Sequence, residues 1–169
     1  HLDAVATRTL LIAHVVMAIL LGGFAVTGRK DMREGVLGVW WYVIAVGCVV
    51  TLSGLIGFQI EAASAVLWGI GLGGWMLLPA AGLWNTGRRG ARPARAYCVG
   101  GACSALGAVV SVLGPVVGSA ATLAGLALVG VGQALGIAAA VAADGTSRSR
   151  RSSVTATVRA LPPMSAVRG

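Results

Sequence analysis

Apolar residues fill this chain in five long runs separated by short polar clusters. The runs cover residues 9–27, 36–58, 62–84, 97–114 and 119–143. Each is close to the ~20 residues an α-helix needs to cross the ~30 Å hydrocarbon core of a bilayer. The pattern predicts an all-α, polytopic membrane protein with five transmembrane helices. Residues 1–143 form the five-span domain, and residues 144–169 read as a basic, disordered tail. Between spans two and three the turn falls around Gln59 and Glu61. The last hairpin is harder to divide, because residues 97–143 carry no charge. A single helix of 47 residues would be about 70 Å long, far more than one crossing. It must therefore fold back, and Gly114-Pro115, followed by Gly118 and Ser119, supplies the turn. Proline removes a backbone donor and disfavours helix at the residue before it.

Charge then orients the spans. With the N-terminus outside, Arg29, Lys30 and Arg33 lie on the inner side, as do Arg88, Arg89, Arg92 and Arg95. The tail arginines Arg148, Arg150, Arg151, Arg159 and Arg168 join them, leaving only Arg8 outside. Positive charge in short loops favours the cytoplasm, so the arrangement is N-out/C-in. A four-span alternative would place the five tail arginines on the wrong face. Trp84 and Tyr97 bracket the second inner loop at interfacial depth. Trp40, Trp41 and Tyr42 open span two, and Trp75 lies deeper, where it packs against neighbouring helices.

Composition narrows the class further. The chain is 57% hydrophobic and 11% charged, with a net charge of +8. A sequence pI near 11.1 suggests nucleic acid in a soluble protein, but here the arginines flank apolar spans without interleaved aromatics. Nucleic acid is therefore excluded as a partner and the lipid bilayer takes its place. Arginine in preference to lysine, with abundant Ala, Gly and Val, suits a GC-rich bacterial genome, so a bacterial cytoplasmic membrane is the expected location. The first residue is His rather than Met, which reads as a processed, tagged or trimmed start. Residues 9–27 are longer than a signal-peptide core and lack a clean cleavage site, so they read as a retained span.

Little in the spans can do chemistry. Cys48, Cys98 and Cys103 match no redox or zinc spacing and read as small buried hydrophobes. Gly69-Ile70-Gly71-Leu72-Gly73-Gly74 matches the dinucleotide-binding G-x-G-x-x-G, but without the strand, helix start and acidic residue that the function needs. Gly69 and Gly73 read instead as a G-x-x-x-G helix-packing pair. Ala121, Gly125, Gly132, Gly136 and Ala140 form a comparable face on span five, with Gly100, Ser104, Gly107 and Ser111 on span four. These faces suit packing of spans four and five, or association with another chain.

His14 is the titratable side chain placed well inside a span, about 7–8 Å below Thr9. Intramembrane ionisable groups are candidates for function. Met17 lies three residues on, and Met76 and Cys48 reach similar depth from other spans. Imidazole with soft sulfur ligands suits Cu(I), which makes His14 and Met17 the candidate metal ligands. Haem would need a second axial histidine, and the other His is residue 1. Glu61 sits at the outer boundary, and Gln133 lies within span five, where it can hydrogen-bond to another helix. The absence of acids at mid-span argues against a proton-coupled transporter, and no nucleophile–base pair assembles into an enzyme.

The segments "HVVMAILLGG", "TLSGLIGFQI" and "WGIGLGGWMLLP" resemble the small bacterial integral membrane proteins akin to copper-resistance CopD-type domains. The resemblance covers roughly Leu10 to Leu83. It implies a fold neighbourhood, with His14 the residue that maps onto a position of interest. The expected function is that of an accessory, assembly or interaction subunit, or a homo-oligomer, without catalysis or cofactor. The alternative is a transporter or channel for a small solute or copper-type ion.

Overall fold

The structure is a computed structural model that describes residues 2–32 and 34–160. The chain is all-helical: α1 spans Leu2–Thr27, α2 Gly35–Gly57, α3 Ser64–Arg88, α4 Ala94–Val117 and α5 Ser119–Ala160. A short 3-10 turn, Glu61–Ala63, precedes α3. No strand occurs among the described residues. All five helices are long and apolar enough to cross a membrane, so the protein is membrane-embedded.

Each helix packs chiefly on its neighbours in sequence, with α4 and α5 the most extensive pair, so the five follow one another as a row. Helix α5 also reaches back to α3, whereas α1 and α5 share no packed interface among the described residues. The buried positions explain the packing. On α2 they include Val43, Gly47, Val50, Gly54 and Gly57, and on α3 Met76, Ala80, Leu83 and Gly87. On α4 the corresponding set is Tyr97, Gly100, Ser104, Gly107, Ser111 and Gly114, and on α5 Gly125, Val129, Gly132, Gly136 and Ala139. All four sets alternate steps of three and four residues. That average of 3.5 is the seam of left-handed helix pairs, which keeps one narrow face toward the partner along its whole length.

Small residues make this seam tight. A Cβ added at Gly100 would lie 2.6 Å from the Gly132 carbonyl oxygen, and one at Gly107 would lie 2.6 Å from that of Gly125. On the other side of α4, a Cβ at Gly101 would meet the Ala80 carbonyl oxygen at 2.8 Å. Lipid is as apolar as these side chains, so close van der Waals contact, not removal from water, holds the helices together.

Three boundaries differ from the sequence expectation. Pro115 does not make the turn; it lies in the last helical stretch of α4, and the chain reverses at Gly118. Gly118 has φ +129°, a conformation that favours glycine. A proline this near a helix end leaves few following residues without a ladder, so the helix outlasts it. Second, α5 continues to Ala160, so residues 144–160 are helical rather than irregular. No proline interrupts the sequence between Ser119 and Leu161, and the run contains many good helix formers; Pro162-Pro163 is the next strong breaker. Residues 161–169 of the expected tail lie outside the described residues. At 42 residues α5 is about 63 Å long, roughly twice the hydrocarbon thickness. Third, the α5 face runs through Gly125, Val129, Gly132, Gly136 and Ala139, leaving Ala140 exposed and Ala121 only half-buried. The period of 3.5, not the i, i+4 repeat of small residues, selects which positions face inward.

Candidate functional site

The α2–α3 contact places most of the polar chemistry of the bundle. In each helix a tryptophan is followed by a glycine seven residues on and a threonine eleven residues on: Trp40, Gly47, Thr51 in α2 and Trp75, Gly82, Thr86 in α3. The helices run antiparallel, so each tryptophan meets the other helix's glycine and threonine. Trp75 Nε1 donates to Thr51 Oγ1 at 3.1 Å, and Thr51 Oγ1 donates to the Gly47 carbonyl at 2.9 Å. Reciprocally, Trp40 Nε1 donates to Thr86 Oγ1 at 3.1 Å, and Thr86 Oγ1 donates to the Gly82 carbonyl at 2.8 Å. Each indole also lies over the opposing glycine, where an added Cβ would come within 2.9 Å of Trp75 at Gly47 and 3.4 Å of Trp40 at Gly82. Four polar groups are thereby satisfied inside the bilayer, where none can turn to water. A repeated W-x6-G-x3-T is the sequence signal for this arrangement, and the reading above does not contain it.

In its N-terminal half, α1 leans on this pair. His14 is half-buried and its Nδ1 lies 2.8 Å from the Leu10 carbonyl oxygen. A carbonyl only accepts, so Nδ1 donates here, and in the neutral ring Nε2 then keeps its lone pair. The ring stands edge-on to Phe58, with centroids 5.5 Å apart, and its Cδ2–Nε2 edge lies over Gly54. A cavity of about 310 Å³ opens here, lined by His14, Thr51, Gly54, Phe58, Trp68 and Trp75 among others. An adjoining cavity of about 260 Å³ shares His14, Thr51 and Trp75 and continues to Met17. Trp41 pins the C-terminal end of α1, its Nε1 donating to the Ala25 carbonyl at 2.9 Å. That carbonyl belongs to the last four residues of α1, which have no partner within the helix.

The structure thus brings His14 and Met17 to one cavity but not the other soft donors. Met76 is buried against Ala108 and Val129, and Cys48 packs toward the Ala18 carbonyl. Among the described residues no group of three or more His, Cys, Asp or Glu side chains converges. All three cysteines are free and half-buried. Glu61 is exposed at the start of the 3-10 turn, away from any cavity described above. Tyr97, expected at interfacial depth, is buried with Leu83 and Ala139 in the first turn of α4, because its place on the α4 seam turns it inward.

The chain matches no family model, no curated protein and no solved structure. Its geometry alone carries the reading.

Gln133 has a definite task. Its Nε2 donates to the Trp75 carbonyl at 3.4 Å. In a regular helix that carbonyl would receive the N–H of residue 79, but residue 79 is proline. Helix α5 therefore supplies the donor that α3 lacks. Gln133→Leu is expected to destabilise the fold by about 1 kcal/mol in the native background. In a Pro79→Ala background the cost should largely vanish, since the restored N–H takes the carbonyl. Chemical denaturation of the four proteins in detergent measures the coupling; equal costs in both backgrounds would refute the assignment. Gln133 also borders a cavity of about 590 Å³ near the N-terminal ends of α2 and α4, with Trp40, Thr86 and Tyr97.

The small-residue faces divide into two kinds. Gly125, Gly132 and Gly136 are filled by α4 and by Leu83 of α3. Gly69 and Gly73, expected to pack as a pair, have nothing within 4 Å of an added Cβ. Gly69 and Gly73 continue the three-and-four seam of Met76, Ala80, Leu83 and Gly87 toward the N-terminal end of α3, where no neighbouring helix comes within 4 Å of an added Cβ.

Proposed function

We propose that this protein is a non-catalytic, multi-pass subunit that works through helix contacts inside the bilayer, either assembling with itself or supporting a larger membrane complex. The carrying observation is the contrast on its glycine faces. Gly100, Gly101, Gly107 and Gly114 of α4 and Gly125, Gly132 and Gly136 of α5 are occupied within the chain, while Gly69 and Gly73 of α3 stand open at G-x-x-x-G spacing. In lipid, such a face associates with another transmembrane helix because backbones can approach closely there. The row-like order of the helices supports this reading, since α3 keeps an exposed side despite its central place in the row. The basic loops support an arrangement with the N-terminus outside and the C-terminus in the cytoplasm of a bacterial inner membrane.

The test is extraction in mild detergent followed by native electrophoresis. The unmodified chain is expected to run as an oligomer or with a partner. Gly69→Ile with Gly73→Ile should release a monomer of unchanged thermal stability, because the new side chains meet nothing in their own chain. A lone monomer from the unmodified protein would rule the reading out.

A further inference from the structure

We propose that the groove between α1 and the α2–α3 pair is a lateral binding site for a hydrophobic molecule bearing a hydroxyl donor, such as an isoprenoid alcohol or a prenylated hydroquinone. The two cavities of about 310 and 260 Å³ share His14, Thr51 and Trp75, so they form the lobes of one groove with its polar residues at the junction. From Leu10 to Met17 it follows about 10 Å of α1. The larger lobe reaches the size of small-molecule sites by itself, and its lining is apolar and aromatic around a few polar atoms, as such sites are. Glycine keeps it open. An added Cβ at Gly71 would have no atom nearer than 3.9 Å, and at Gly54 it would press on the imidazole at 3.0 Å.

The hydrogen-bond inventory then selects the ligand. The Trp75 N–H goes to Thr51, and the Thr51 hydroxyl proton goes to Gly47. His14 Nδ1–H goes to Leu10. Every donor of these three side chains is thus engaged within the protein. What they leave is acceptor capacity: the Nε2 lone pair of His14 and the second lone pair of Thr51. An acyl chain leaves both unpaired in hydrocarbon, and at this junction a carbonyl or ether sets lone pair against lone pair. The indole N–H of Trp68, which lines the larger lobe alone, is the donor on the lining that such an oxygen could reach only away from His14 and Thr51. A hydroxyl satisfies Nε2, and the rest of the molecule fills the apolar lobes. Discrimination against a ligand of equal shape but without the donor should be about tenfold.

Trp68 and Trp75 line the groove, so tryptophan fluorescence reads occupancy directly. The full chain in lipid nanodiscs would be titrated with geranylgeraniol, its methyl ether, decylubiquinol and decylubiquinone. Saturable binding of either hydroxyl compound, about tenfold tighter than its donor-less counterpart, is the expected result; the compound that shows it names the ligand source. His14→Phe should erase the difference within each pair while leaving the weaker ligand unchanged. Gly71→Leu, which fills the lobe from a position with room for it, should abolish saturation for all four. Equal affinities within both pairs, binding by none of the four compounds, or unaltered binding to the Gly71→Leu protein would overturn the proposal.

Discussion

Gly107→Val and Gly132→Val are expected to separate α4 from α5, each destabilising the protein by about 3 kcal/mol or more. At Gly132 a Cβ would lie 2.5 Å from both the Gly100 carbonyl oxygen and Ser104 Oγ. At Gly107 it would lie 2.6 Å from the Gly125 carbonyl oxygen and 2.7 Å from the Val129 nitrogen. Most of these atoms are backbone, so no rotamer change can make room and the helix axes must move apart. Overpacking of a side-chain core costs about 1–3 kcal/mol, and a clash with backbone on a seam held by contact alone should exceed that. Ser104, fully buried and donating to the Val129 carbonyl at 3.4 Å, would lose its partner in the same step. Gly130→Val is the control: it lies on the same helix, with nothing within 4 Å of its Cβ, and should change stability by less than about 0.5 kcal/mol. Since both α5 substitutions alter helix propensity alike, their difference isolates the seam. Thermal aggregation in detergent reads it, and equal stability of Gly130→Val and Gly132→Val would show that the close approach is not real.

The same seam shows how far the sequence could be read. Five spans follow from length and hydropathy, and the small residues of span four do all face inward. The α5 face was harder to place because its inward set includes Val129, a bulky residue that an eye tuned to Gly and Ala passes over. Gly69-x-x-x-Gly73 looks the same on paper as the filled glycines and shares the register of Met76 and Ala80, and only the lack of a close neighbour at that end of α3 separates them. Breakers misled in a similar way. Gly114-Pro115 is a strong local stop signal, yet the positive φ that reverses the chain falls at Gly118. His14 was legible as an unusual residue from its depth, and Met17 from its spacing. Their surroundings were not, because Thr51, Gly54, Trp68 and Trp75 come from other helices and their meeting depends on the register of α1 against α2. Gln133 was legible as a residue in need of a partner; that the partner is a carbonyl orphaned by Pro79 needs the α3–α5 contact to be known.

The second large effect concerns the paired tryptophans. Trp75→Ala is expected to destabilise the bundle by about 3–5 kcal/mol, the range for removing a large aromatic from a packed site. Trp75→Phe keeps a ring over Gly47 but loses the donor to Thr51, which should cost about 0.6–2 kcal/mol. Trp40→Phe should cost a similar amount, because Thr86 and Gly82 receive it in the same geometry. The two clasps lie about 16 Å apart along the helices, so the double Phe variant should show the sum of the single costs. Within a clasp the energies should not add: Thr51→Val, which removes the hydroxyl, should cost less once Trp75 is Phe than it does in the native protein. Gly47→Ala offers an independent route, since its Cβ would sit 2.9 Å from the indole and push the ring out of line with Thr51. Denaturant titrations of the single and double variants decide the matter. A double Phe variant no less stable than either single would mean that the two helices are not held by reciprocal contacts, and that W-x6-G-x3-T recurs without structural consequence.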